Sequence, residues 1–421
     1  MATLGADDAI VSGRKTTTTS SRSPLNHDSN MMEKGEKLYL QDHDHNQSND
    51  HQGSINALAS PIFQDTSVYS FRSYSLNARP PEMTFGPKAY MLGIKNGMVL
   101  QDPADQQLGW HTPATSILVV KKDMDDTVTE EFKAIVRWLL EERKLKVYIE
   151  ESVKHQPGIV DDHHFRSTLQ NLLTINIEID DYKLELVDLV VCLGGDGTFL
   201  HASSLFQQNA PPVIAFSLGT LGFLTKFKIS DFKSVIDKVL DDNPRVALRN
   251  RLTCEIHFSK NKTVEKHAVL NEIVVDRGPS AFLTNLNIIC NERHITNIEG
   301  DGLIIATPTG STAYSLASGG CMVHPCVPSI LFTPICPHAL SSRPVILPAG
   351  VQLKIQTSEN ARGPMWISVD GRSRQQLSPD DYICITTSIH PLACICANDP
   401  VEDWFISISD CLHWNMRHRQ R

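Results

Sequence analysis

A glycine-rich turn that directly follows an apolar, strand-like run is the feature that most constrains the fold. The run Val187–Cys192 leads straight into residues 193–198, which read LGGDGT, and a helical pattern follows. A strand that ends in three glycines around one carboxylate lets backbone N–H groups approach a phosphate chain and holds an acid beside it. The turn therefore predicts a phosphate-handling site at the carboxyl end of a strand.

Two better-known glycine motifs are missing from the sequence. No G-x-x-x-x-G-K-[ST] is present, and no G-x-G-x-x-G follows a strand-like run, so the motifs of P-loop nucleotidases and ordinary Rossmann oxidoreductases do not apply. The letters GGDGT resemble a kinase superfamily that includes NAD kinases, diacylglycerol and sphingosine kinases and, more distantly, phosphofructokinases. This resemblance names phosphoryl transfer and leaves the acceptor open.

The bulk properties favour a two-domain protein with a tail. The chain has 421 residues, 41% hydrophobic composition and a formal net charge of −9, which argues against a general nucleic-acid or membrane-surface binder. Ten scattered cysteines indicate reduced thiols rather than a disulfide frame or a zinc site, so no protein metal site is expected. No apolar run reaches the roughly 18 residues of a membrane span, and no address signal is evident, so we expect the cytosol.

The patterning divides the chain into four parts. Residues 1–112 are polar and are expected to form a disordered regulatory tail. Residues 113–226 alternate strand and helix patterns, which predicts a Rossmann-like or phosphofructokinase-like α/β domain that carries the glycine-rich turn. Residues 227–394 contain many short β-branched runs, which predicts a separate, β-sandwich-like all-β domain. Residues 395–421 contain an amphipathic helix that starts at Asp399-Pro400 and is expected to pack back on the α/β domain.

A short motif in the tail gives one regulatory expectation. Arg72 precedes Ser75 by three residues, a spacing that basophilic protein kinases tend to accept. Phosphorylation of Ser75 would add negative charge close to the folded core, although short Arg/Ser patterns also occur by chance.

Further segments in the second half identify the substrate class. Asn271-Glu272 lies in a strand-like run, residues 300–315 combine an acidic turn with a hydroxyl-rich loop (GDGLIIATPTGSTAYS), and residues 368–371 read SVDG. In this order, together with GGDGT, they resemble the NAD kinase family over about residues 112 to 415, and within that family the animal cytosolic form. Each segment alone has a structural reading as a strand end or a capped turn.

The residue types fit an adenosine-binding site. Asn271 offers a donor and an acceptor, Glu272 can accept from ribose hydroxyls, and the Tyr314 ring can face an adenine with the Thr312 and Ser315 hydroxyls alongside. The resemblance assigns the all-β domain to NAD binding and puts Asp301 near the nicotinamide end. The full set of expected NAD-binding residues is Asn271, Glu272, Asp301, Thr309, Ser311, Thr312, Ala313, Tyr314 and Ser315.

The resemblance also implies the chemistry. Asp196 would be the general base on the adenosine-ribose 2′-hydroxyl of NAD⁺, and ATP with Mg²⁺ would supply the phosphoryl group that gives NADP⁺. The residues expected to contact phosphate are Gly194, Gly195, Gly197 and Thr198. The family is commonly homodimeric or homotetrameric. Two alternatives remain at this point: a lipid kinase of the diacylglycerol or sphingosine kinase type, and a catalytically silent NAD(H)-sensing protein.

Overall fold

The fold is built on a mixed sheet covered on both faces and on two antiparallel sheets that share one core. The computed structural model describes residues 84–92, 106–122, 125–176 and 181–416, all within one unit, Asp65–Arg421. The helices are α1 Thr129–Glu141, α2 Glu151–Lys154, α3 Pro157–Val160, α4 Arg166–Gln170, α5 Asp181–Leu184, α6 Asp196–Leu205, α7 Phe232–Asp241, α8 Tyr314–Ala317 and α9 Pro400–Leu412.

The first sheet has eight strands. Their spatial order is β10 (Val246–Arg249), β23 (Leu392–Ile395), β8 (Val213–Ser217), β7 (Leu189–Leu193), β4 (Ser116–Lys121), β5 (Lys146–Glu150) and β6 (Leu173–Ile175), with β9 (Phe227–Lys228) paired to β8. The pairs from β23 to β6 are parallel, and only β10 is antiparallel to its neighbour in this sheet. Successive residues of β4 alternate between two apolar clusters, so both faces are buried, as a parallel sheet requires.

Two six-stranded antiparallel sheets form the second region. One runs β12 (Thr263–Val269), β11 (Leu252–Phe258), β22 (Tyr382–Thr387), β19 (Leu353–Thr357), β14 (Thr284–Cys290) and β15 (Arg293–Gly300). The other runs β18 (Val345–Pro348), β17 (Ser329–Ile335), β16 (Gly302–Ala306), β13 (Glu272–Asp276), β20 (Met365–Val369) and β21 (Arg372–Leu377). Alternate apolar residues from both sheets meet in one cluster, which confirms the predicted sandwich-like arrangement.

The start of the first region lies earlier in the chain than expected. Residues 84–92 and 106–112, which we assigned to a tail, contain β1 (Thr84–Phe85), β2 (Ala89–Met91) and β3 (Leu108–Trp110), a three-stranded antiparallel sheet. Phe85, Ala89 and Leu108 are buried in a core cluster of the first region, so the boundary at residue 113 is wrong. The reason is length: strands of two or three residues leave too little alternation for a pattern to detect.

The later boundaries also differ. Helix α7 and strand β10 follow residue 226, yet Ile236, Val239 and Val246 belong to the core of the first sheet. Strand β23, which we placed in the all-β domain, lies between β10 and β8. A short apolar run has the same pattern in either sheet, so the sequence could not show which sheet each strand joins.

The C-terminal helix packs on the first region, as predicted. Asp399 caps α9 by accepting from the backbone N–H groups of Val401 and Glu402, and the helix contacts the loop between β8 and β9. Within the described residues, every helix is too short or too polar to cross a bilayer. All ten cysteines are described and free.

Candidate functional site

The glycine-rich turn lies at the carboxyl end of β7, where the parallel sheet reverses its direction of growth. From β4 the chain adds β5 and β6 on one side, whereas β7 and β8 lie on the other side. Open α/β sheets bind ligands at such a switch point, because the connections leave in opposite directions and open a crevice. Gly195 caps α6, and Asp196 is its first residue, so the predicted phosphate-handling residues occupy this edge.

The three glycines of the turn have different surroundings. Gly194 has a φ of +153°, and a Cβ there would lie 2.3 Å from Thr198 Oγ1. The Thr198 side chain is buried under this turn. A Cβ on Gly195 or Gly197 would have no heavy atom within 4 Å. The geometry of the turn thus requires glycine at residue 194, whereas open space over the other two leaves their main chain approachable.

The Asp196 carboxylate is held by the loop that follows β8. Its Oδ2 accepts the Phe223 N–H at 3.0 Å, and its Oδ1 accepts the Leu224 N–H at 2.9 Å and the Thr225 hydroxyl at 3.4 Å. A Cβ on Gly222 would lie 2.3 Å from Oδ1, so this loop approaches the carboxylate closely. Asp196 is therefore fixed in orientation, and its exposure is only partial.

A second cluster forms around Asp370, in the SVDG segment. The Asp370 carboxylate accepts the backbone N–H groups of Leu270, Asn271 and Glu272 at 2.9, 2.7 and 3.1 Å. Asp370 itself has a φ of +47°, and its own N–H donates to the Glu272 carbonyl at 2.9 Å. These bonds lie where β12 ends and β13 begins, so the strand-like run that holds Asn271-Glu272 is divided between two strands. They also fix the Asn271-Glu272 pair.

Glu272 has an unusual environment for a carboxyl group. Its side chain is 8% exposed, and Oε2 has no hydrogen-bond partner. Burial, followed by the charge of Asp370, raises the pKa of Glu272 to about 7. A buried polar atom without a partner is costly, so this oxygen is available to a polar ligand group such as a sugar hydroxyl.

The hydroxyl-rich segment packs against Asn271, although most of its hydroxyls are not free. Thr307 Oγ1 donates to Leu270 O at 2.5 Å, and a Cβ on Gly310 would lie 2.2 Å from Asn271 O. Ser311 Oγ donates to Val323 O at 3.1 Å and accepts its N–H at 2.9 Å. The Ser315 hydroxyl lies in a buried 2.9 Å hydrogen bond with Thr333. We expected the Ser315 hydroxyl to lie alongside the Tyr314 ring. Instead it is buried and supports the segment from within.

The side chains of this segment that face outward are fewer. Tyr314 is 45% exposed, while Thr312 and Ala313 are partly exposed and Thr309 is buried. Burial raises the pKa of the Tyr314 phenol, and the charges of Asp276, Cys336 and Asp301 raise it further. Asp301 precedes β16 and pairs with Arg277 at 2.8 Å. Asp276 is likewise paired, with Arg374 at 2.9 Å, so the charged groups near the Tyr314 ring form two ion pairs.

Arg249, which no sequence motif singled out, connects the loop that holds Asp196 to the hydroxyl-rich segment. Its guanidinium donates to Phe223 O at 3.4 Å and to Thr309 Oγ1 at 3.3 Å, and its side chain is buried. The loop that holds Asp196 and the hydroxyl-rich segment thereby share one cation. The available signal was a charged residue at the end of the apolar run 246–249. His201 and Arg372, beside the glycine-rich turn, were also missed.

The part of the chain that the structure describes contains no group of three or more His, Cys, Asp or Glu side chains arranged to hold a metal ion. A divalent cation at this site would have to be carried largely by phosphate oxygens and water.

Comparison with known proteins places the chain among nucleotide kinases. Residues 117–243 match the ATP-NAD kinase N-terminal domain, and residues 270–396 match the ATP-NAD kinase C-terminal domain. The chain is 42% identical over 336 residues to the chloroplastic NAD kinase 2 of Arabidopsis thaliana, covering 78% of this chain and 33% of that one. It is 38% identical over 324 residues to an NAD(+) kinase of Saccharomyces cerevisiae, covering 73% and 61%.

Three further relatives from Oryza sativa and the Arabidopsis thaliana relative are longer than this chain, which spans between 33% and 63% of their lengths. Among solved structures, a yeast NADH kinase complexed with NADH is similar at 30% identity and a TM-score of 0.69, covering 80% of this chain and 97% of that chain. An NAD kinase from Archaeoglobus fulgidus in complex with ATP has the same fold, at a TM-score of 0.52. Two matched domains in the right order, the shared fold and the geometry of both clusters lead to one conclusion: the chain belongs to the NAD kinase family.

Proposed function

We propose that this chain is an ATP-dependent kinase that phosphorylates the adenosine-ribose 2′-hydroxyl of NAD⁺ and releases NADP⁺. The observation that carries the proposal is that Arg249 donates hydrogen bonds to both the loop that holds Asp196 and the hydroxyl-rich segment. This contact supports a site in which a phosphate chain over the glycine-rich turn meets a nucleoside bound near Asn271.

Asp196 is proposed as the general base on the 2′-hydroxyl. Its two oxygens accept amide hydrogens and keep further lone pairs that can accept the hydroxyl proton. Phosphoryl transfer passes through a loose transition state in most analyses, so a weak base that is well positioned is sufficient. Gly195 and Gly197 would approach the phosphates, while Gly194 and Thr198 would shape the turn.

Asn271, Glu272 and the exposed part of residues 309–315 are proposed to hold NAD⁺. The unpartnered Glu272 Oε2 supports a bond from a ribose hydroxyl, and the Tyr314 ring supports stacking with the base. Asp301, which pairs with Arg277 at 2.8 Å, would lie toward the nicotinamide. Ser311 and Ser315 would act by holding the segment in shape.

Mg²⁺ is proposed to enter with ATP. When bound, it neutralises part of the triphosphate charge and orients the transferred group. The protein would contribute amide donors at the turn and the cation Arg249 behind it, and neither requires a carboxylate cage.

We further propose a location, an assembly state and a regulatory modification for this chain. The chain would work in the cytosol as a homodimer or homotetramer, most similar within its family to the animal cytosolic form. Cell fractionation tests the location, and light scattering tests the assembly state. Ser75 lies outside the described residues, and its proposed regulatory phosphorylation is tested by comparing the kinetics of Ser75→Ala and Ser75→Asp. Identical kinetics and partners for both would contradict it.

Product analysis tests the activity itself. The purified chain is incubated with ATP, Mg²⁺ and one acceptor at a time, either NAD⁺, NADH, a diacylglycerol or sphingosine, and the products are resolved by mass spectrometry. Phosphate transfer to NAD⁺ at the 2′ position is the expected result. Transfer to a lipid alone would move the chain to the lipid kinases, and NAD binding without any product would indicate a silent sensor.

A further inference from the structure

A chain of three side chains connects the first sheet to the second region beside the glycine-rich turn. The Glu150 carboxylate, at the end of β5, lies 2.7 Å from His201 Nε2 on α6. The other ring nitrogen, His201 Nδ1, lies 2.7 Å from Arg372 Nη1, at the start of β21. A buried carboxylate thus holds an imidazole, and the imidazole in turn holds a guanidinium that comes from a different sheet.

The hydrogen-bond roles in this chain are fixed by its two ends. Arg372 can only donate, so His201 Nδ1 must accept and the ring must be neutral at that nitrogen. Nε2 then carries the hydrogen and donates to Glu150, whose side chain is only 9% exposed. The arrangement orients the Arg372 guanidinium and leaves its positive charge uncompensated, because a neutral imidazole stands between it and the carboxylate.

The guanidinium is aimed at the turn. Arg372 Nη2 lies 3.4 Å from the Gly197 carbonyl oxygen, one residue after Asp196. A cavity of about 290 Å³ adjoins it, lined by His201, Ser204, Gln207, His267, Asp370 and Arg372 among others. Asp370 is already committed to three amides. Arg372 therefore lies on one side of this cavity, and its guanidinium also contacts the main chain of the glycine-rich turn.

The other cations near the turn are occupied. Lys122 pairs with Asp125 at 2.8 Å, Lys226 donates to the C-terminal helix, and Arg249 is buried between two clusters. Among the described residues, no carboxylate lies within 4.0 Å of the Arg372 guanidinium, whose residue is exposed. Two of the five guanidinium N–H groups contact His201 and Gly197, which leaves three donors on an exposed, oriented cation without a carboxylate partner. Such a guanidinium is suited to binding a phosphate group through two parallel hydrogen bonds.

We propose that Arg372 binds the phosphate chain of the donor nucleotide against the glycine-rich turn, and that His201 and Glu150 are positioning residues for its guanidinium. The inference rests on the proposed function and deepens it, since it assigns the triphosphate to the side of the turn that faces the second region. The site is then complete only when β21 and α6 are in contact.

The test separates binding of the two substrates. Arg372→Ala should raise the KM for ATP, and the Kd for the non-hydrolysable analogue AMP-PNP with Mg²⁺ measured by calorimetry, by roughly 10- to 100-fold. The KM for NAD⁺ and the melting temperature should stay near the wild-type values. Arg293→Ala is the matched control, because Arg293 is also an exposed arginine at the first position of a strand, and it should change neither. Unchanged AMP-PNP affinity in Arg372→Ala would overturn the proposal.

Two further variants keep the test decisive if Arg372→Ala is unstable. Arg372→Lys keeps the charge and loses the two parallel N–H donors, so it should weaken AMP-PNP binding by itself, without any need for Arg372→Ala. If Arg372→Ala is stable, added guanidinium ion should restore part of its ATP affinity and should have no such effect on Arg372→Lys. His201→Leu should weaken AMP-PNP binding in the wild-type background and add nothing in the Arg372→Ala background. Additive losses would show that His201 does not act through Arg372. If the wild type binds AMP-PNP yet forms no NADP⁺, the proposed function fails while the assignment of Arg372 is still tested by binding.

Discussion

At the scale of single residues, Gly194 determines the shape of the glycine-rich turn. Its φ of +153° is one that side chains rarely adopt, and a Cβ would meet Thr198 Oγ1. We expect Gly194→Ala to destabilise the fold by about 1–3 kcal/mol through backbone strain, and to lower the melting temperature accordingly. Gly195→Ala is the matched control, because its φ is −94° and its Cβ would have open space. Equal losses of melting temperature in both variants would contradict this account of the turn.

Glu272 makes the stability of the unliganded protein depend on pH. Its pKa is raised to about 7, so between the ordinary carboxyl pKa and about 7 the folded chain holds a proton that the unfolded chain has released. The free energy of unfolding therefore falls as the pH rises through this interval. Glu272→Gln removes this loss, and its melting temperature relative to wild type should increase between about pH 5 and about pH 8. A difference that is independent of pH would contradict the assignment.

At the scale of elements, the C-terminal helix α9 packs against the loop that orients Asp196 and forms hydrogen bonds with it. Lys226, in that loop, donates to Asp403 O at 3.1 Å and to the Ser407 hydroxyl, and Cys411 Sγ lies 3.4 Å from Leu221 O. Burial, then the charge of Arg249, lowers the pKa of Lys226 to about 8. The helix thus reaches the Asp196 carboxylate through the two amides of residues 223 and 224.

Removing the hydrogen bonds between Lys226 and α9 should lower kcat more than it changes the KM values. Lys226→Met keeps the volume and removes the donors, so we expect kcat to fall about tenfold or more through misplacement of Asp196, with both KM values within about twofold. Lys228→Met, two residues on and exposed, is the control and should behave as wild type. Steady-state kinetics check this, and a rise in KM at constant kcat would show that the loop serves binding instead.

At the scale of the whole molecule, the first region depends on strands from distant parts of the chain. The strands β1, β2 and β3 bury Phe85, Ala89 and Leu108, and Lys88 pairs at 2.9 Å with the buried Asp188 carboxylate. A chain that begins at residue 113 should therefore lose several kcal/mol relative to one that begins at residue 84, at about 1.5–3 kcal/mol for each large buried side chain. Chemical denaturation measures the difference, and equal stabilities would show that this sheet is dispensable.

The parts of this fold that the sequence predicted are those with a strong local signal. The strand before Gly194, the helix after Asp399 and the alternating runs of the second region each repeat a pattern over five residues or more, and the structure has them. The assignment of β10 and β23 to the first sheet could not be predicted, because pairing between residues 246 and 395 leaves no local trace.

The same limit applies to the site. The motifs located Asp196, Asn271 and the hydroxyl-rich segment, because each requires particular residue types at fixed spacing. Three other features join residues that are at least 26 positions apart in the sequence. They are the Asp370 carboxylate that fixes residues 270–272, the cation Arg249 and the chain from Glu150 to Arg372. Such contacts follow from the tertiary fold, so the sequence pattern does not show which residues they join.

The central claim is that Asp196 acts on a hydroxyl of NAD⁺ while the surrounding turn and segments bind the nucleotides. The direct measurement is NADP⁺ formation from ATP, Mg²⁺ and NAD⁺, followed with a strictly NADP-dependent dehydrogenase, for the wild type and for Asp196→Asn. We predict that the variant binds both nucleotides with near-normal affinity and turns over about 10²–10⁴-fold more slowly, the usual contribution of a positioned acid or base. Near-normal turnover by Asp196→Asn would contradict the account.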